Sequence, residues 1–174
     1  PLFDTILDYI PEPSMDLDKP FQMLVSSIDY NEYVGRIAIG RIERGVIKQN
    51  QEIEVCNYHN QDEPPMKAKA VSLYQFDGLN RVPVTEAGAG NIIAMSGIGD
   101  VTIGDTICAR GFAEPIEFVK IGAPTLEMTF SVNDSPFAGT EGKFVTSRQI
   151  RDRLFRETLK DVSIRVSEIG SSTD

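Results

Sequence analysis

A chain of 174 residues with a formal net charge of −9 has room for one large or two small globular domains. Its apolar fraction of 41% and charged fraction of 25% are ordinary for a folded protein. No apolar run reaches membrane-spanning length and the first residues lack a signal-peptide pattern, which argues against a membrane partner and a secretory leader. The two cysteines, Cys56 and Cys108, sit inside the apolar runs NQEIEVC and DTICA and read as buried free thiols of a reducing compartment. His59 lies alone in a polar loop, so a metal site is not expected.

In chain order, Leu2, Phe3, Ile6, Leu7 and Ile10 recur at helical spacing, and Pro11 and Pro13 end that segment. The acidic, proline-bearing stretch that follows reads as a linker. From Phe21 the period changes to two. FQMLVSSIDY, VGRIAIGRIERG, QEIEVC, MKAKAVSLYQF, NRVPVTE, NIIAMSG and DTICA read as short strands separated by turn signals such as Gln49-Asn50, Asp77-Gly78 and Gly104-Asp105. Short, closely spaced strands without intervening helices predict a small closed antiparallel β-barrel. Acid pairs such as Asp16/Asp18 and Glu52/Glu54 read as solubility residues on a linker or an outward face, not as general acids.

Beyond a second connection, TLEMTFSVN (residues 125–133) reads as a strand, Ser135 to Lys160 as a glycine-bearing loop and basic helix, and VSIRVSE (162–168) as another strand. Strand, crossover helix, strand is the start of a split βαβ unit, half of an α+β ferredoxin-like domain. Its unpaired strand edges are expected to pair with a neighbouring copy or with each other, or to pack on the barrel. Thr146 and Gln149 fit a capping box for the helix. Ile150, Leu154, Phe155 and Leu159 fall on one half of its surface, and Gln149, Arg153, Arg156 and Lys160 on the other. Arg148 and Arg151 fall within the apolar arc, where their stems snorkel or their heads meet carboxylates.

Charged helix faces are usually only solvated, and Asp152–Arg156 and Arg153–Glu157 have good i,i+4 spacing. Contrast with the remaining chain favours a function: residues 1–122 carry 10 Lys and Arg against 18 Asp and Glu, whereas residues 143–165 carry 7 against 3. An acidic chain that gathers its cations on one loop and helix can aim them at a polyanion. No P-loop, GxSxG, HExxH or CxxC pattern is present, and the glycines of EAGAGNIIAMSGIG read as barrel turns.

GRIAIGRIERGVIKQNQEI (35–53) and EAGAGNIIAMSGIGDVTIGDTI (86–107) resemble the domain II barrel of elongation-factor-class GTPases. Asn50 and Asn91 depart from the usual Gly and Asp there, but Asn tolerates the left-handed turn conformation. NDSPFAGTEGKFVTSRQIRDRL (133–154) resembles the opening of domain III in the TypA/BipA family, ribosome-associated GTPases linked to stress adaptation and ribosome biogenesis. PLFDTILDYIPEP resembles the junction between that family's GTPase domain and its barrel. The resemblance implies that residues 1–19 end an upstream GTPase domain and linker, 20–118 form barrel domain II, and 119–174 form the first half of domain III of the elongation factor G type. Together with a first residue that is Pro1 rather than Met, it implies a piece of a longer factor.

That factor would be a cytoplasmic, ribosome-stimulated GTPase using GTP and Mg²⁺. This piece would carry neither cofactor nor catalysis, and would dock on small-subunit rRNA and ribosomal protein beside its GTPase domain in cis. DNA is not an expected partner. Lys143, Arg148, Arg153, Arg156 and Lys160 are the candidate ribosome contacts, with Arg36, Arg41 and Arg44 as a weaker set. Alternatives are a protein-interaction barrel unrelated to RNA, or the same domains of a sister factor such as elongation factor G.

Overall fold

A computed structural model describes residues 2–11, 15–120, 122, 124–140 and 142–169. Helix α1 (Leu2–Tyr9) opens the chain, with its apolar side chains exposed. Among the described residues ten strands follow: β1 (Gln22–Asn31), β2 (Gly35–Arg44), β3 (Val46–Lys48), β4 (Glu52–Asn57), β5 (Met66–Lys69), β6 (Ser72–Asp77), β7 (Asn80–Val84), β8 (Glu86–Gly88), β9 (Ile92–Ser96) and β10 (Asp105–Ala109). Helix α2 (Ser147–Thr158) comes last. Pro13 and the linker residues 12–14 lie outside the described residues. Asp16, within the stretch read as a linker, is held to the end of β2 by the Gly45 N–H, which donates to its carbonyl at 2.7 Å.

Eight strands form one antiparallel ladder in the order β5-β4-β10-β1-β2-β9-β6-β7, and β3 pairs with β8 separately. β5 and β6 are parts of one run of chain, interrupted only by Ala70 and Val71. The Ala70 N–H donates to Gln51 O, beside β4, and the Val71 N–H donates to Ser96 O, on β9. The bend therefore hydrogen-bonds to strands from opposite sides of the ladder, which gives the sheet its barrel character. Alternation puts Met23 and Val25 of β1, Ile42 of β2, Ile53 of β4, Leu73 of β6, Ile93 and Met95 of β9 and Ile107 of β10 into one core. Among the described residues Asn50 is the non-glycine residue with positive φ, at 65°, in the turn before β4.

β1 bends at Ser26, where the register with β2 shifts between Val25 and Ser27. Gly40 faces this bulge, and a Cβ there would lie 2.0 Å from the Leu24 carbonyl oxygen. β1 and β2 approach this closely only because position 40 has no side chain.

After β10 the chain doubles back as a strap over the outer face of that strand. Glu114 lies by Cys108, Ile116 by Thr106 and Phe118 by Gly104, an antiparallel register held by side chains. The Cys108 thiol donates to Glu114 O at 3.5 Å, as does Gln22 Nε2 at 2.7 Å, while the Ile116 N–H donates to Thr106 Oγ1 at 2.9 Å. Phe118 fills the space where Gly104 lacks a Cβ, and its ring meets the His59 ring edge-on at 4.8 Å. Glu54, read above as a solvated acid, is instead buried and accepts the Gly111 N–H at 3.1 Å. Glu52 is exposed and pairs with Arg110, as the solvated reading requires.

Residues 125–133 and 162–168 form no strand among their described residues, contrary to the sequence pattern. A strand exists by its ladder partner, and neither segment finds one. Leu126, Met128, Phe130 and Val132 are exposed, whereas Val162 packs against the barrel core. Of the outcomes expected for this half-unit, packing on the barrel is the one realised by Val162 among the described residues of these two segments. The helix between the two segments is formed as its sequence predicts. Thr146 is its N-cap, Thr146 Oγ1 accepting the Gln149 N–H at 3.3 Å and Gln149 Oε1 accepting the Thr146 N–H at 3.1 Å.

Gly40→Ala is expected to lower the free energy of unfolding by about 1–3 kcal/mol, because the new methyl meets backbone rather than a movable side chain. Gly99→Ala, with open space around it, should stay within about 0.5 kcal/mol in the same urea titration. Thr146→Ala should cost α2 about 1 kcal/mol, read as faster amide exchange across residues 147–158.

Candidate functional site

α2 carries the chain's concentration of cations, and the structure gives each of its arginines a carboxylate. Arg148 lies 4.0 Å from Asp152, and Arg153 pairs with Glu157, both at i,i+4. Arg151 pairs with Glu168 and stands 5.4 Å from the centroid of the Phe155 ring. Arg156 reaches Glu32, in the β1–β2 turn, at 2.7 Å. The i,i+4 pair expected between Asp152 and Arg156 is not formed, because each finds another partner. Arg148 and Arg151 meet carboxylates, as their place in the apolar arc requires. Lys143 and Lys160 are exposed and make no ion pair among the described residues.

The C-terminal end of α2 is seated on the barrel. Leu159 closes one side of an open cavity of about 420 Å³ that is otherwise lined by Tyr30, Val34, Arg36, Ile98 and Asp100, among others. Asp29 lies on the same hairpin. Burial works against its charge, but Arg81, bonded to it at 2.7 Å, and the Tyr30 N–H outweigh that effect. With Lys160 nearby, they hold the Asp29 carboxyl below the usual carboxylate value. Glu32 was not legible as a partner of α2, nor Asp29 as a neighbour of Lys160, because they are more than a hundred residues away in sequence. The alternation of β1 identifies its faces but not what docks on its tip.

The arginine side chains remain accessible despite their pairs: Arg148 is 89% exposed, Arg153 66% and Arg156 60%. Ion pairs this exposed contribute roughly 0–1 kcal/mol each, so a phosphate can replace a carboxylate at little cost. The weaker set does not form a face. Arg36 donates to Val101 O at 3.2 Å, and half-buried Arg44 pairs with Glu114. Arg41 is exposed on β2, 3.9 Å from Glu43.

The glycine-bearing residues 86–99 form β8, β9 and their turns, not a loop opening a helix whose N–H groups could cradle phosphates. Among the described residues no three His, Cys, Asp or Glu side chains are grouped to hold a metal ion.

Residues 35–108 match the family model for elongation factor Tu domain 2. Across its whole length the chain is 48% identical to the large ribosomal subunit assembly factor BipA of Synechocystis sp., over 28% of that protein's length. The protein of the same name from Escherichia coli (strain K12) is 45% identical over 97% of the chain and 27% of its own length. That from Bacillus subtilis (strain 168) is 41% identical over 98% of the chain and 27% of its own. The chain thus spans a little over a quarter of the length of these relatives, and the likeness runs through both the barrel and the basic helix: it belongs to the TypA/BipA family.

Proposed function

We propose that this chain is the ribosome-docking, non-catalytic portion of a cytoplasmic translational GTPase that acts in ribosome assembly and adaptation to stress. GTP and Mg²⁺ would be bound outside this segment, since its glycine-bearing turns do not fit a phosphate cradle. The barrel would serve as a rigid arm that carries α2 to ribosomal RNA and protein. Arg148, Arg153, Arg156, Lys143 and Lys160 would meet phosphates there, which orient a protein without reading sequence. The observation that carries this reading is the accessibility of Arg153 and Arg156 on one short helix of an otherwise acidic chain.

A second reading, docking to protein rather than RNA, has its own support: every arginine of α2 is already matched by a carboxylate. One experiment separates the two. Co-sedimentation of the chain with isolated small and large ribosomal subunits is followed across a salt series, with and without Arg153→Glu, Arg156→Glu and Lys160→Glu together. Under the RNA reading, removing three phosphate contacts should flatten the slope of log K against log [salt] by roughly 2–3. An unchanged slope with retained binding favours the protein surface. The subunit that carries the chain down decides between the small-subunit contact expected from the sequence and the large subunit in the relatives' name.

Glu32→Gln should free the Arg156 guanidinium and strengthen subunit binding by no more than about fivefold, the equivalent of one exposed ion pair. A weakening would mean that docking of α2 on the hairpin is itself required.

A further inference from the structure

Cys56 on β4 and Cys108 on β10 stand with their sulfurs 3.9 Å apart. Thr106 is the rung partner of Cys56 and Glu54 that of Cys108, so the cysteines are diagonal neighbours on the outer face of the sheet. Ile53, Val55 and Ile107 fill the core from the opposite face. Cys108 is fully buried beneath the strap, and Cys56 is half-buried at its margin. Buried cysteines usually serve as small apolar fillers, but here the surroundings are polar. Cys108 has Glu114 O as acceptor, and Arg44, whose Nε is buried without a partner among the described residues, reaches the Glu114 carboxylate from the same side. The hydrogen bond from Cys56 holds the Cys108 thiol below the ordinary thiol value against its burial, and the charge of Arg44 acts in the same direction. That bond and burial push Cys56 up, so of the two thiols Cys108 gives up its proton the more readily.

We propose that Cys56 and Cys108 are a two-electron redox pair that a small hydroperoxide converts to a disulfide bridging β4 and β10, loosening the strap. The Cys108 thiolate attacks the peroxide, the O–O bond breaks, and the departing oxygen leaves as water or alcohol once protonated. The sulfenic acid formed at Cys108 is then attacked by Cys56, which loses its proton as the sulfenic oxygen departs as water. In sum, two thiols and one hydroperoxide give one disulfide, one water and one alcohol (or a second water, from hydrogen peroxide). The two electrons come from the sulfurs and end on the peroxide oxygens. Closing the gap from 3.9 Å to a bond of about 2.05 Å requires the sulfurs to turn toward each other. Cys108 then has no thiol hydrogen to donate to Glu114 O, and the strap loses one of its attachments to β10.

The inference does not depend on the function proposed above and is tested without a ribosome. The full 174-residue chain is treated with hydrogen peroxide, digested under conditions that block thiol exchange, and weighed by mass spectrometry. A peptide joining Cys56 to Cys108 should appear as both free thiols vanish, and dithiothreitol should restore them. Cys56→Ser and Cys108→Ser should each abolish the joined peptide. Amide exchange at Ile116 should rise on oxidation of the parent chain and stay unchanged in Cys56→Ser. Two results overturn the proposal: both thiols surviving peroxide that oxidises exposed methionines, or thiols lost to intermolecular dimers or higher sulfur acids without the internal link.

Discussion

Gln22–Asn31 and Gly35–Arg44 are paired along nearly their whole length, and this register governs what each end of the hairpin can hold. At the tip, Glu32 pairs with Arg156 in the last turn of α2, and Asp29 feels the charge of Lys160 beyond it. At the base, Gln22 reaches the strap through Glu114 O, and Arg44 reaches the Glu114 side chain. A slip of one residue would exchange the faces of both strands and withdraw all of these groups together. The bulge at Ser26 and the missing side chain at Gly40 tie the register to one solution, because a Cβ at position 40 is excluded by the backbone opposite it.

Electrostatics in this molecule is a matter of exchangeable partners rather than of a bare positive face. Seven cations against three acids in residues 143–165 count as a surplus on paper. In space, α2 draws on Glu32 of the barrel and Glu168 of the following segment to balance it. These contacts are solvent-exposed and screened, so each is weak. A polyanion would not have to overcome a buried ion pair, only to compete with carboxylates for accessible guanidinium groups.

Most strands from residue 21 to 109 were legible because two independent signals agree there, alternation of apolar residues and turn chemistry between them; the three-residue β3 and β8 are too short to alternate, and MKAKAVSLYQF, which reads as one strand, is divided into β5 and β6. Asn50 at φ 65° and the Thr146–Gln149 capping box were legible for the same reason, since each depends on residues within a few positions. The strap was not, because its bonds to β10 run to side chains and leave no period in the sequence. Its dependence on Thr106 Oγ1, Gln22 and the Cys108 thiol emerges only when strands distant in sequence are side by side. Residues 125–133 show the converse: Leu126, Met128, Phe130 and Val132 alternate well, yet alternation without a partner strand makes no ladder. Of the candidate site, the helix and its cations were readable, whereas the carboxylates that hold Arg156 and neighbour Lys160 were not.

β7 is the outermost strand of the ladder on the side away from β5, and Pro83 sits in it opposite Tyr74. Proline has no N–H, so the free margin of β7 lacks a donor that an incoming chain would need for its next rung. The hairpin can therefore stand in solvent, with Leu79 wholly exposed at its tip, without offering a template for strand-by-strand self-association.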